Sequence, residues 1–462
     1  MEVTSQAVAT VGLTLTAVIN IPEAARSAGH ATAVCFAIAL VAILLVAETL
    51  VMFRRQPAST SGIAAYVEAG LGPAAGTLAA WALLLGYGGT MVACLVFFGF
   101  YLNHLIVLVG GHPLPLIGYL VGGVGCLQLA RRDVRFSTGT MLATEAISVL
   151  IVLGLCLVVL RHGGPQADLA ALEPAGDTAL QVRSGLMVAV LSFIGFESAA
   201  TLGEESLRPE RAVPRAIRLS VLIAGLLFLF WAVVLTEGLA WLPPLDRAAL
   251  DPIALLADKL GQPGAGEWIR GGAFLCLFGS TLGSLNALGR IGFDLAESGV
   301  LPRALAQVHP RFHTPAFALT ATTVPLLLIG ALLELRGLTI HALFNELGGF
   351  AVLAFLLVYG LVACGALGLP LAGIPRLRRL AVAGGSLMAV VAIGVAFLWS
   401  ALGHQNGMLL TFTALMLLGL ALVARSARAN AGLNVHRPGF TTCADGTHRR
   451  HDHWTPRQWI RR

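Results

Sequence analysis

Along most of the chain, apolar residues run for about twenty positions at a time, and polar residues gather in short clusters between the runs. Twelve such stretches can be marked, at roughly 7–27, 32–52, 73–101, 114–130, 138–160, 183–203, 219–240, 270–292, 315–335, 345–368, 380–401 and 407–425. A helix needs about 20 residues to cross the hydrocarbon core of a bilayer, and nearly every stretch meets that length. In lipid the backbone must satisfy its own N–H and C=O groups, so helices are the expected form. The third stretch is long enough to tilt or to extend past the bilayer. The fourth is short and rich in glycine.

One stretch interrupts its own pattern. Between Val188 and Leu202 an apolar run contains Gly195 and, two positions later, Glu197. A carboxylate at bilayer depth is expensive and by default marks a substrate or ion path. The glycine lets the backbone leave helical geometry at low steric cost. A dense polar loop follows, from Glu204 and Glu205 through Arg208, Arg211 and Arg215, shaped by Pro209 and Pro214. Broken helix, acid and charged loop together point to a carrier, not an anchor.

Composition narrows the class. Charged residues make up 12% of the chain and the mean hydropathy is +0.82. Soluble domains carry about 25% charged residues, so this is a polytopic membrane protein with no room for a sizeable soluble domain. The net charge of +6 would suggest a nucleic-acid partner only if it formed a patch. Instead, 23 of the 30 Arg and Lys residues fall in loops and the tail on one face, counting twelve spans. Excess positive charge stays cytoplasmic, so both termini are expected inside a cell membrane, with the lipid bilayer as partner and no nucleic acid.

The seven cysteines are scattered without CxxC spacing, which argues for packing rather than a metal site or disulfide framework. No HExxH and no nucleophile motif occurs, so the chain does not read as an enzyme, and neither cofactor nor metal is expected. The N-terminus lacks the basic region and cleavage site of a signal peptide, so the first stretch is expected to be retained. Residues 426–462 carry His436, His448, His451 and His453 among arginines, with no regular ligand spacing. They read as a disordered basic cytoplasmic tail touching anionic headgroups.

Several segments resemble one family. Ala47-Glu48, then Pro57 to Gly72 with Gly62, Tyr66 and Gly70, then Trp81, are similar to the second and third helices of amino acid–polyamine–organocation permeases. Phe193-Ile-Gly195-Phe196-Glu197 with the loop from Glu204 to Ile217 resembles their sixth helix and the loop after it. Asn286 to Arg290, Ser298 to Pro302 and Thr314-Pro315 resemble their eighth helix and its loop. The resemblance covers roughly residues 5–425 in order and spacing.

It implies an all-α, LeuT-like fold of 12 transmembrane helices. Two inverted five-helix repeats would occupy about 7–160 and 183–368, two additional C-terminal helices about 380–425, and helices 1 and 6 would be broken at the midplane. A broken helix exposes N–H groups that attract carboxylate and C=O groups that attract ammonium or a cation. The implied activity is secondary-active transport of an amino acid, polyamine or related amine by alternating access with a coupling proton. A sodium-coupled carrier, an exchanger and a non-transporting membrane sensor are the alternatives.

Where relatives carry a glycine-rich stretch in helix 1, register with Pro22 gives Leu15-Thr16-Ala17-Val18-Ile19, without glycine. The break is then expected near Asn20 and Pro22, because proline lacks an N–H and disfavours helical angles at Ile21; otherwise the ligand is not a standard α-amino acid. The expected substrate site comprises Thr16, Ala17, Val18, Asn20, Tyr87, Phe193, Gly195, Phe196 and Glu197. The phenylalanines could stack on substrate or simply pack. Glu145, alone in the fifth apolar stretch, is the candidate proton carrier, with a structural hydrogen bond as the other reading. Ser280 and Ser284 supply hydroxyls for a cation, or bond back to their own helix. Glu48, just before Arg54 and Arg55, is read as an ion-pairing residue.

Overall fold

The computed structural model describes residues 2–56, 59–112, 114–132, 134–162, 179–203, 206, 208–261, 264–310, 312, 314–371, 373–402, 406–432, 441–442 and 448–449. Helices account for almost all of it. In chain order they are α1 (Glu2–Val11), α2 (Leu13–Leu15), α3 (Ile21–Ala28), α4 (Thr32–Met52), α5 (Ala64–Leu71) and α6 (Pro73–Leu108). Then follow α7 (Pro115–Ala130), α8 (Val134–Arg161), α9 (Ala179–Phe193), α10 (Pro209–Ala240), α11 (Pro244–Arg247) and α12 (Pro252–Leu260). The remainder are α13 (Ala265–Glu297), α14 (Ala316–Leu335), α15 (Ile340–Gly368), α16 (Arg376–Ala401) and α17 (Asn406–Gly432). Among the described residues the only strands are the two-residue pair Thr441–Thr442 and His448–Arg449. The rest of the histidine-bearing tail lies outside the described residues.

Among the described residues, ten helical stretches are long and apolar enough to cross a membrane. The first, Glu2–Met52, contains two limbs: the interrupted α1 to α3, and α4. Leu116–Ala130 is a shorter apolar helix. The helices follow the apolar runs closely but extend beyond them, because polar residues at the ends continue helical hydrogen bonding outside lipid. Short amphipathic α5 and α12 carry no long apolar run and were not marked by it.

Packing sorts the helices into an inner group and a rim. In α13 and in Val182–Leu202, 78% of the most apolar window is buried, against 28% for α16 and 17% for α17. The outer faces of α16 and α17 carry Met388, Trp399, Leu410 and Leu417, which lipid can solvate. α1 is enclosed by α8, α10, α13 and a 3₁₀ helix at Phe196–Leu202. α6 packs along both α13 and α15. The two interrupted helices thus lie at the centre, shielded from lipid, where irregular backbone is tolerable.

Glu48 accepts two hydrogen bonds from Arg218, at 2.6 and 2.9 Å, and lies 3.5 Å from Arg378. This joins α4 to α10 and α16. Glu204 and Glu205 of the charged loop lie outside the described residues.

Candidate substrate site

The first interruption lies at Gly12, upstream of the expected position. Its φ of 68° leaves right-handed helix space, and the chain then resumes through α2 and a π-helical turn, Thr16–Asn20, into α3. Ile21 keeps right-handed helical angles, and Pro22 lies inside the continuous helical path from Leu13 to Ala28, directly after the π turn. The break expected near Asn20 and Pro22 is therefore corrected: those residues are helical, and the chain leaves helical geometry at Gly12 instead.

The second interruption falls at Gly195, with φ 116°, between α9 and the 3₁₀ helix Phe196–Leu202. A β-carbon on Gly195 would stand 2.7 Å from the carbonyl carbon of Thr10. A β-carbon on Gly12 would stand 2.6 Å from Ser280 Oγ. The two broken helices therefore meet main chain to main chain, an approach only glycine permits.

Each break frees backbone donors, and at each an acid takes one of them. At the first, Glu145 Oε1 accepts from the Thr14 N–H at 3.1 Å, and Cys276 Sγ accepts from the Leu15 N–H at 3.2 Å. At the second, Glu197 Oε2 accepts from the Gly195 N–H at 3.1 Å. Tyr87 donates to Glu197 Oε1 at 2.7 Å and Tyr359 donates to Oε2 at 2.8 Å. Both acids are about 1% exposed. Glu145 Oε2 has no hydrogen-bond partner among the described residues.

Further rings pack on the two tyrosines that bond Glu197. Tyr87 stands edge-on to Phe355 at 5.0 Å, Phe196 lies 5.9 Å from Tyr359, and Phe355 lies 6.1 Å from Tyr359. A buried carboxylate beside a cluster of aromatic rings is a setting that favours an organic ammonium, through charge and through the ring quadrupoles.

The remaining expected residues lie around this centre. Phe193 packs on Phe228 at 5.1 Å. Asn20 donates to Ser192 Oγ at 2.9 Å and to Thr16 Oγ1 at 3.5 Å, tying the π turn to α9. Ala17 and Val18 are fully buried. Ser280 donates to the Ala9 carbonyl at 3.0 Å, while the Ser284 hydroxyl is buried without a partner.

Three participants, Gly12, Tyr359 and Gln6, carried no strong sequence signal. Gly12 was passed over in register, and Tyr359 sits in an apolar run, although it is one of only five tyrosines and its rarity could have flagged it. Gln6 donates to the Gly283 carbonyl at 2.9 Å, and Asn286 donates to Gln6 Oε1 at 3.3 Å and to Ser137 Oγ at 2.9 Å. These amides lock α1 to α13 and α8.

Two interrupted helices crossing at a buried acid, inside a shell of apolar helices, define a multi-pass membrane protein of the broken-helix carrier type. The amino acid permease description matches residues 3–422, and the chain belongs to that family, within the amino acid–polyamine–organocation superfamily. It is 29% identical to cationic amino acid transporter 4 of Homo sapiens over 332 residues, 67% of this chain and 51% of that protein. It is 24% identical to the low-affinity putrescine importer PlaP of Escherichia coli (strain K12) over 333 residues, 67% of this chain and 71% of the importer. An uncharacterized transporter of Mycobacterium tuberculosis, Rv1999c, shares 28% over 311 residues, 64% of this chain and 65% of that protein. The chain thus aligns with about half the length of the human relative.

Proposed function

We propose that the protein is a secondary-active permease for an amino acid, polyamine or related organic amine, working by alternating access with a coupling proton. The observation that carries this reading is the Glu197 carboxylate, buried among Tyr87, Tyr359, Phe196 and Phe355 at the break beside Gly195. An ammonium brings three N–H donors, enough to replace the two tyrosine hydroxyls on that carboxylate. The names of two relatives, a cationic amino acid transporter and a putrescine importer, also describe cationic cargo. Tyr87, Gly195, Phe196 and Glu197 form the proposed substrate site with Tyr359. Thr16, Ala17, Val18, Asn20 and Phe193 support it from behind.

The contacts observed seal both breaks, so this reading treats the conformation as closed over the site. Rocking of α1 and the 3₁₀ helix against α6, α13 and α15 would open one side at a time. Twelve crossings in two inverted repeats of five, plus α16 and α17, are part of the same proposal, as are cytoplasmic termini in a cell membrane. Glu145 is the proposed proton site: it faces the Thr14 N–H and the Cys276 thiol, and one of its oxygens has no partner.

A sodium-coupled reading draws on Ser280 and Ser284 of α13 beside the Ala9 carbonyl. The deciding experiment is uptake of radiolabelled lysine, arginine and putrescine into proteoliposomes under an imposed proton gradient and then a sodium gradient. Accumulation under the proton gradient alone supports the proposal, and accumulation under sodium alone transfers coupling to Ser280 and Ser284. Binding without flux under either condition would identify a sensor instead.

A further inference from the structure

We infer that the permease selects organic cations that lack a carboxylate, so that its cargo is an amine or polyamine and not the corresponding amino acid. The inference rests on the carrier reading above and narrows its substrate. A half-helix broken at mid-membrane ordinarily offers its freed N–H groups to the anionic end of a substrate. Here the protein's own acids each take one of those donors. Glu145 Oε1 holds the Thr14 N–H at 3.1 Å and Glu197 Oε2 holds the Gly195 N–H at 3.1 Å.

The side chains at the two breaks include Glu145, Glu197, Tyr87, Tyr359, Cys276, Ser280 and Thr14, and their contacts divide by role. Both tyrosine hydroxyls donate to Glu197, the Ser280 hydroxyl donates to Ala9, and the Cys276 sulfur accepts from Leu15. An incoming carboxylate would meet two acids, with the unpartnered Thr14 hydroxyl and the Cys276 S–H as the neutral donors beside them among the described residues. Its charge would be opposed by both acids, and two weak neutral donors do not offset that. An ammonium meets the opposite situation, with an acid and aromatic faces already in place.

Glu145 is the better discriminator of the two acids, because it comes from α8 and not from a broken helix. Removing it frees the Thr14 N–H without touching the Glu197 cluster. A site of this kind rejects a molecule bearing the wrong polar group by roughly a hundredfold or more.

The test uses pairs that differ only by a carboxylate: agmatine with arginine, cadaverine with lysine, and putrescine with ornithine. Uptake and competition are measured in proteoliposomes containing the full chain. The expected result is that each amine is transported and each amino acid competes at least about a hundredfold less well. Glu145→Ala, which frees the Thr14 N–H, should narrow that ratio at least tenfold in favour of the amino acid. Glu145→Gln keeps an oxygen for Thr14, so its ratio, read by competition for substrate exchange, which needs no net proton movement, should stay high.

Amino acids and amines transported within threefold of each other would overturn the inference and leave the permease reading standing. Transport of neither series, with the protein correctly folded, would overturn both. An unchanged ratio in a folded Glu145→Ala protein would also overturn it. Should that variant fail to fold, the wild-type ratios and Glu145→Gln still decide.

Discussion

Gly195 lies against the backbone of Thr10, so close that a β-carbon there would stand 2.7 Å from the Thr10 carbonyl carbon and 2.8 Å from its oxygen. This contact fixes where the two broken helices cross. Its φ of 116° adds a second demand, since L-residues rarely adopt that conformation. Gly195→Ala therefore combines backbone strain of about 1–3 kcal/mol with a main-chain clash that no rotamer can relieve. The expected outcome is loss of uptake together with a thermal unfolding temperature lowered by several degrees in detergent. Uptake kinetics equal to wild type would show that the crossing is dispensable.

The Glu197 cluster separates binding from stability. In Glu197→Gln the side chain keeps one acceptor oxygen and gains an NH₂ group, so one of Tyr87 and Tyr359 loses its acceptor. An orphaned buried hydroxyl costs about 1–3 kcal/mol, which a protein of this size should survive. Uptake of cationic substrate should nevertheless fall by about two orders of magnitude, since a charge-assisted bond to the ammonium is gone. Tyr359→Phe keeps the acid and should cost stability more than affinity. Saturable uptake with unchanged KM in membrane-inserted Glu197→Gln would remove the acid from the site.

Coupling is tested at Glu145. If the proton travels on this carboxyl, Glu145→Gln cannot load or release it, while its oxygen still accepts from the Thr14 N–H. The variant should lose accumulation driven by a pH gradient yet retain exchange of internal for external substrate. The two assays differ only in whether net proton movement is required. Gradient-driven accumulation at wild-type levels in Glu145→Gln would move the coupling elsewhere, with Ser280 and Ser284 next in line.

Much of this arrangement was legible in the letters, and the exceptions have physical causes. Runs of apolar residues mark membrane helices because lipid enforces both length and composition. Glu197 and Gly195 stood out because an acid and a glycine are costly in such a run unless they are used. The Glu48 ion pair was also legible from an acid beside a basic helix end, and Arg218 and Arg378 supply its partners. Gly12 was missed because matching by register with Pro22 put the break further along the chain, and letters alone do not carry the φ of 68° at Gly12. Tyr359 and Cys276 were missed because their roles depend on α13 and α15 lying beside the breaks. That adjacency is tertiary: Tyr359 is 162 positions from Glu197, and Cys276 is 261 from Leu15.

At one end of the molecule, Arg26 ties the second limb of the first broken helix to its surroundings. It donates to Glu23 at 2.8 Å and to the Arg247 carbonyl at 3.1 Å, with a further bond to the Ala249 carbonyl. Asn345 of α15 donates to the other oxygen of Glu23 at 3.4 Å. The same arginine lines a cleft of about 330 Å³ with Pro22, Thr236 and Ala240, between α3 and α10. A limb that must move during transport is held by exposed bonds each worth on the order of 1 kcal/mol, weak enough to break in every cycle. Arg26→Ala should shift the population toward a conformation open at this end. A cysteine at Ala240, with Cys364 and Cys443 replaced, should then react severalfold faster with a membrane-impermeant maleimide, and substrate should slow that reaction. Equal labelling rates in the presence and absence of Arg26 would mean that the opening of this end is controlled by other contacts.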